Sequence, residues 1–172
     1  MVKTTIFRIF NTYGPGEDLN YLKKGMVSIY SYYVWKNKPI IVKGSLERVR
    51  DLNYIDDVIK ILEGSISNKK LKKNEIFNLS SAQCYKVKNL INEILKVNGL
   101  KNYKIFQKKG TPGDSFIFQT SNIKLKKFYK SINFTSLNNG LKKYFDWINS
   151  IPRNKSNLKR YHPLAKKIYE KY

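Results

Sequence analysis

Two arginines, Arg48 and Arg50, stand between a glycine-led turn and paired aspartates in the stretch V-K-G-S-L-E-R-V-R-D-L-N-Y-I-D-D-V, residues 42–58. If this segment is extended, positions two apart share a face, and two guanidiniums on one face are suited to gripping an anion. The plainer reading makes them surface partners of Glu47 or Asp51. Asp56 and Asp57 fit the first turn of a helix, where carboxylates are favoured by unpaired backbone N–H groups. Asn11, at the exit of an N-terminal strand, either presents its amide to a cleft or caps its own turn. Asp114 is the sole acid between Glu93 and Asp146. It is either a local charge balance or an acceptor for a ligand hydroxyl.

Much other chemistry is absent from the residues. One cysteine, Cys84, and one histidine, His162 beside Pro163, give no set of three or four converging metal ligands. Ser-His-Asp and Cys-His nucleophile systems fail on the same ground. There is neither a Gly-x-Gly-x-x-Gly nor a Walker loop to cradle phosphates. Tyr32-x-x-x-Lys36 has the spacing in which a tyrosine and a lysine act together in short-chain reductases. Aromatics crowd that whole segment, and it reads as core and boundary. No catalytic, cofactor-binding or metal-binding residue is assigned, and what remains is binding apparatus.

A chain of 172 residues with 41% hydrophobic and 14% aromatic content belongs with folded globular proteins. Its net charge of +22 raises a polyanion as partner. Nearly all of the excess is lysine, whereas planar recognition of bases and phosphates favours arginine. The charge therefore reads as a solvated surface more than a nucleic-acid face. A single cysteine points to a reducing compartment, and no apolar run approaches a membrane span. The expectation is a soluble, cytoplasmic protein.

These residues must be held by recognisable elements. Thr4–Phe10 predicts a strand and Asn11–Gly16 a loop. Leu22–Trp35 predicts a helix with Leu22, Met26, Ile29 and Tyr33 inward. Short strands are expected at Pro39–Val42, Leu52–Ile55, Glu75–Leu79 and Tyr103–Phe106, and a helix over Asp57–Gly64. Val87–Val97 is strongly amphipathic, with Val87, Leu90, Ile91, Ile94 and Leu95 on one face and Asn98-Gly99 as its stop. Ser121 is the expected N-cap of a helix I-K-L-K-K-F-Y-K. Ser136–Ile148 forms the last helix, with Leu137, Leu141, Tyr144, Phe145 and Ile148 inward.

Taken together, R-I-F-N-T-Y-G-P-G at Arg8–Gly16 and G-S-L-E-R-V-R-D-L-N-Y-I-D-D-V at Gly44–Val58 resemble the extended short-chain dehydrogenase/reductase family. Within it the resemblance is to the C-terminal, substrate-binding half of NAD-dependent nucleotide-sugar epimerases and dehydratases such as UDP-glucose 4-epimerase. P-G-D at Pro112–Asp114 and N-G-L-K-K-Y-F-D-W at Asn139–Trp147 add weaker support. The resemblance implies an α/β fold: a truncated Rossmann-type sheet edge plus a small α/β substrate domain over residues 1–149, followed by a basic tail, 150–172. It implies that Asn11 reaches the substrate pyrophosphate, Arg50 grips its phosphates, and Asn20, Tyr21 and Leu22 line the sugar and phosphate channel. Asp114 would accept from the ribose hydroxyls. Lys43 stands where relatives often place an aromatic against the base, and Thr111 where they place another arginine, with Lys108 and Lys109 as partial substitutes.

The family's glycine-rich fingerprint and its catalytic Tyr-x-x-x-Lys would lie upstream of the first strand. The resemblance therefore implies that NAD serves the intact enzyme and not this chain alone. A partner carrying the NAD-binding part, or self-association, is expected, with apolar surface exposed where that part would pack. The alternatives are a non-catalytic nucleotide-sugar binder or a polyanion-binding module derived from the same fold.

Overall fold

The computed structural model describes residues 4–19, 25–67, 74–130 and 132–151. Strand β1 (Thr5–Ile9) runs parallel to β6 (Glu75–Leu79), with Thr5 opposite Glu75 and Ile9 opposite Leu79. A parallel pair requires a crossover. This one carries β2 (Thr12–Tyr13), α1 (Met26–Trp35), β3 (Ile40–Lys43), β4 (Val49–Asp51), β5 (Asn53–Tyr54) and α2 (Ile55–Ser67). The second half adds β7 (Cys84–Lys86), α3 (Val87–Val97), β8 (Ile105–Lys108), β9 (Ile117–Phe118), α4 (Ile123–Phe128) and α5 (Leu137–Ser150). Pairs β2–β5 and β3–β8 are also parallel, while β4 lies between antiparallel β7 and parallel β9. The result is a mixed α/β fold with small, mostly parallel sheets, in keeping with the α/β fold that the resemblance implies.

Two apolar clusters hold it together. The larger joins α1, α3 and α5 to β2, β3 and β5, with Ile40, Val42, Ile91, Ile94, Leu141, Tyr144 and Ile148 at or near zero exposure. Ile151 also packs in it, so buried structure reaches past residue 149. The smaller gathers Val58 and Ile61 of α2, Phe77 and Leu79 of β6 and Leu125 of α4.

The helices with a clear apolar stripe form as their periodicity predicts. In α3, Val87, Leu90, Ile91 and Ile94 are buried. Its end is marked by Gly99 at φ +65, with the Leu100 amide donating to the Leu95 carbonyl at 2.9 Å. Ser136 caps α5 by accepting from the Asn139 amide. Asp56 and Asp57 sit in the first turn of α2. Asp57 also accepts from the Thr135 amide at 2.7 Å and the Thr135 hydroxyl at 3.0 Å, tying the approach to α5 onto α2.

Three local expectations are corrected. Helix α1 buries Val27, Tyr30, Val34 and Trp35 together with Ser28 and Ser31, leaving Met26, Ile29 and Tyr33 at the margin. Apolar residues surround this helix, so periodicity selects no face, and contacts with β3, α3 and α5 decide instead. The N-cap of α4 is Asn122, not Ser121, and its amide donates to the Ser80 carbonyl at 2.9 Å. The loop read at Asn11–Gly16 contains β2, because Thr12 and Tyr13 find partners in Asn53 and Tyr54. Strands β7 and β9 have no counterpart in the sequence reading; each is two or three residues long and exists through pairing with β4.

Gly140 allows α5 to close on β2 and β5. A Cβ there would lie 2.2 Å from the Tyr13 hydroxyl and 3.2 Å from Tyr54 Cδ2. The Tyr13 ring cannot swing aside, being packed edge-on to Tyr54 at 5.6 Å and Tyr144 at 6.1 Å. Alanine ordinarily favours a helix over glycine by about 1 kcal/mol. Gly140→Ala is nevertheless expected to lower unfolding stability by about 2 kcal/mol, because overpacking outweighs propensity. A urea midpoint at or above wild type would refute this.

Candidate functional site

Strand β4 is the spine of the site. Arg50 lies on this extended strand and Arg48 immediately precedes it, and both side chains reach the same carboxylate. Both are buried, at 6% and 8% exposure. The partner they share is Asp114, on the segment between β8 and β9. Arg48 Nη1 contacts Asp114 Oδ2, and Arg50 Nη2 lies 2.5 Å from Asp114 Oδ1. Arg48 is further fixed by donating from Nε to the Ser45 carbonyl at 3.0 Å and from Nη2 to the Lys43 carbonyl. Arg50 donates from Nη1 to the carbonyls of Val49 at 2.8 Å and Phe116 at 3.3 Å.

The turn before β4 makes room for this. Gly44 has φ +88, and a Cβ on it would come within 3.1 Å of the Arg48 guanidinium carbon. A side chain here would be strained by the backbone and would press on the arginine. Burial, and then repulsion from Arg48, pushes the Arg50 pKa down. The nearby Tyr30 phenol is pushed up by burial, an effect the two arginines oppose. The site is thus a desolvated pair of like charges bridged by one carboxylate, with a net charge of one positive unit among the three groups.

Glu47 and Asp51, the partners offered by the plainer reading, are engaged elsewhere. Glu47 faces outward to Lys86 at 2.8 Å and Lys88 at 2.7 Å, whose hydrogen bonds hold its pKa down to about 2. Asp51 is wholly buried and accepts from the Ser80 hydroxyl and, at 3.2 Å, from the Ser81 hydroxyl. It belongs to a polar knot beside the arginines. Asn11 Nδ2 donates to the Asp51 carbonyl at 3.0 Å, and Asn53 Nδ2 donates to the carbonyls of Phe10 at 3.2 Å and Leu79 at 3.1 Å. The Ser81 amide donates to Asn53 Oδ1 at 2.6 Å. Ser80, Ser81 and Asn53 went unassigned in the sequence, where the only signal is polar residues at a strand exit and beside an aspartate.

Burial raises the Asp51 pKa, and the hydroxyl and backbone hydrogen bonds only partly offset it. Above the ordinary carboxylate range the unfolded chain ionises first, so the folded state loses stability as pH rises, until the folded group also ionises. The urea midpoint of wild type is therefore expected to fall relative to Asp51→Asn from about pH 4 upward. Parallel midpoint curves for the two proteins would contradict this.

Among the expected site residues, the structure brings Arg50 and Asp114 into contact and sets Asn11 against the residue following Arg50. Lys43 lies exposed in register with Lys108 and lends its carbonyl to Arg48. Asn20, Tyr21 and Leu22 lie outside the described residues, as does His162. Asp114 makes the charge-balancing contact. Lys36 lies with its ammonium 3.8 Å from the Trp35 ring centroid, and Tyr32 packs edge-on to Tyr33. No group of three or more metal-ligating side chains occurs among the described residues, and no described helix is long and apolar enough to cross a membrane.

Two short strand-to-helix junctions lack the features of a phosphate cradle. The strand-to-helix junctions β5–α2 and β7–α3 contain no glycine. The first places Asp56 and Asp57 where a pyrophosphate would need N–H groups and positive potential.

Comparison with known proteins agrees with this architecture. Residues 1–80 match the NAD dependent epimerase/dehydratase family. A dTDP-4-dehydro-6-deoxyglucose reductase of Escherichia coli is 32% identical over 92 residues, which are 54% of this chain and 28% of the relative. UDP-glucose 4-epimerase of Thermotoga maritima, solved with UDP-glucose, superposes with a TM-score of 0.76 at 25% identity, covering 86% of this chain and 46% of that one. UDP-glucuronic acid 4-epimerase of Bacillus cereus, solved with UDP-glucuronic acid and NAD, gives 0.77 at 23% identity with the same coverage. The chain therefore spans about half the length of these solved relatives. By sequence over its first 80 residues and by structure over most of its length, the chain is similar to proteins of the NAD dependent epimerase/dehydratase family.

Proposed function

We propose that this chain is the substrate-binding half of a nucleotide-sugar epimerase or dehydratase, with a UDP-sugar as its ligand. The observation that carries the reading is the convergence of Arg48 and Arg50, buried and fixed by backbone carbonyls, at one end of β4. Fixed guanidiniums at a desolvated site suit the phosphates of a nucleotide diphosphate sugar. Asn11 supplies a polar neighbour on the β1 side, and Lys43 and Lys108 add positive charge at the rim. Asn20, Tyr21 and Leu22 are assigned to the sugar and phosphate channel on the resemblance alone.

Oxidation and re-reduction of the sugar need a hydride carrier and a base. The 172 residues contain no Gly-x-Gly-x-x-Gly cradle. In this reading the chemistry is supplied by an NAD-binding portion outside these residues, and the chain alone is inactive. The surface of the β1–β6 pair supports such a partner. Ile6 and Ile76, opposite each other across the pair, are 48% and 40% exposed. Parallel strands are ordinarily covered on both faces, and an isolated two-stranded sheet is marginal.

Calorimetric titration of the purified chain with UDP-glucose and UDP-glucuronic acid tests binding. One-site saturation is expected, without turnover. No saturable binding would remove the reading, and interconversion by the chain without a partner would remove the claim that it is half of an enzyme. A salt-dependent nucleic-acid titration tests the rival polyanion role, which predicts a steep loss of affinity as salt rises.

A further inference from the structure

We propose that Arg48 and Arg50 form a two-guanidinium clamp whose resident anion is Asp114, and that a diphosphate binds by displacing this carboxylate. The proposal rests on the nucleotide-sugar reading for its natural ligand, but the geometry argues for it without that ligand. Each Asp114 oxygen serves a different arginine, Oδ2 for Arg48 and Oδ1 for Arg50. Two oxygens of one anion bridging two forks is also how a phosphate would sit between them. Arg48, to which the family resemblance gives no role, thereby becomes a binding residue equal to Arg50.

The surroundings separate the clamp from a purely structural ion pair. Every residue from Lys104 to Gln119 is exposed, while the two arginines beneath are buried. Between β8 and β9 this segment crosses the site as a flap. Its own turn is closed by the Asp114 amide on the Thr111 carbonyl at 3.2 Å. Its tip is secured to the body through the Asp114 carboxylate. Two surface grooves among the described residues, one between α3 and α5 at Asn89, Glu93 and Asn138, the other at Phe134, Asn139 and Lys143, lie apart from Arg48, Arg50 and Asp114. With Asp114 seated, the two arginine side chains are only 7% and 10% exposed, so anion entry requires the flap tip to lift.

Such a closed state lowers apparent affinity by the fraction of molecules that are open. Asp114→Asn removes the competing charge, and with a closed-to-open ratio near ten it is expected to tighten inorganic pyrophosphate binding about tenfold. Pyrophosphate has no ribose, so a role of Asp114 in holding ribose hydroxyls does not affect this readout. Adding Arg48→Lys to Asp114→Asn is expected to return affinity toward wild type, because the fork is lost while the charge stays. Nonspecific binding to surface lysines would leave the three proteins alike.

Hydrogen exchange on the wild type keeps the test decisive if Asp114→Asn does not fold. Pyrophosphate is expected to speed exchange of the amides at 110–115. Slower exchange there, or a folded Asp114→Asn with unchanged or weaker pyrophosphate binding, overturns the clamp. Tighter pyrophosphate binding by Asp114→Asn without any binding of UDP-glucose to wild type would leave the clamp standing and remove the nucleotide-sugar reading. Binding of UDP-glucose without the pyrophosphate effect would do the reverse.

Discussion

Phe77→Ala is expected to lower the unfolding free energy by about 3–5 kcal/mol, the range for deleting a fully buried aromatic side chain. Phe77 has no exposed surface and is the hub of the smaller core. Its ring stacks on Phe7 at 5.7 Å and meets Phe128 edge-on at 5.0 Å, and the Lys124 ammonium stands 4.8 Å from its centroid. Aromatic pairs of this kind add about 0.5–1.5 kcal/mol beyond area burial. Among the described residues its other buried members are Val58, Ile61, Leu79 and Leu125, with Phe7, Phe128 and Tyr129 among the partly buried side chains around them, so deleting the ring removes the shared contact of the cluster. Total stabilities are typically about 5–15 kcal/mol, so this loss would unfold a large share of a marginal chain. Urea denaturation at neutral pH measures it, with Phe118→Ala as the reference, since Phe118 is 43% exposed. Equal midpoints for the two variants would mean that the β1–β6 unit is not held as described.

Arg50→Ala is expected to weaken nucleotide-sugar binding by about 2–5 kcal/mol, the penalty for truncating one partner of a buried charged contact. That is a loss of at least roughly thirtyfold in Kd. Part of the effect is local, because the Arg50 guanidinium also holds the Phe116 carbonyl and so steadies β9. Arg50→Lys separates the two contributions. It keeps the charge and gives up the fork, so binding should recover only partly. Calorimetry with UDP-glucose, checked by far-UV circular dichroism for folding, provides the measurement. Undiminished binding by a folded Arg50→Ala would place the phosphates elsewhere.

The elements that can be read from sequence are those whose own residues decide their conformation. α3 and α5 have regular apolar stripes with a stop or a cap at one end, and the structure places the same side chains inward. β1 and β6 are β-branched and aromatic and need no long-range information to be extended. α1 offers no such guide, since an almost uniformly apolar helix can bury any face. β7 and β9 are too short to carry a pattern, and only their partner β4 makes them strands.

The candidate site divides the same way. The spacing of Arg48 and Arg50 along the segment leading into β4 was enough to expect them on one side, and the loop composition around Asn11 and Asp114 marked both as exposed to a cleft or turn. Which carboxylate would meet the arginines was not determined by sequence proximity. Glu47 and Asp51 are adjacent in the chain but turn outward and into the Ser80–Ser81 knot, while Asp114 arrives from 64 residues beyond Arg50 because β9 pairs with β4. Chain-local physics, meaning strand alternation and helix periodicity, fixed where the charges sit on their own elements. The pairing of β4 with β9 decided which charges meet, since a contact between distant residues depends on long-range packing that no short window of sequence contains.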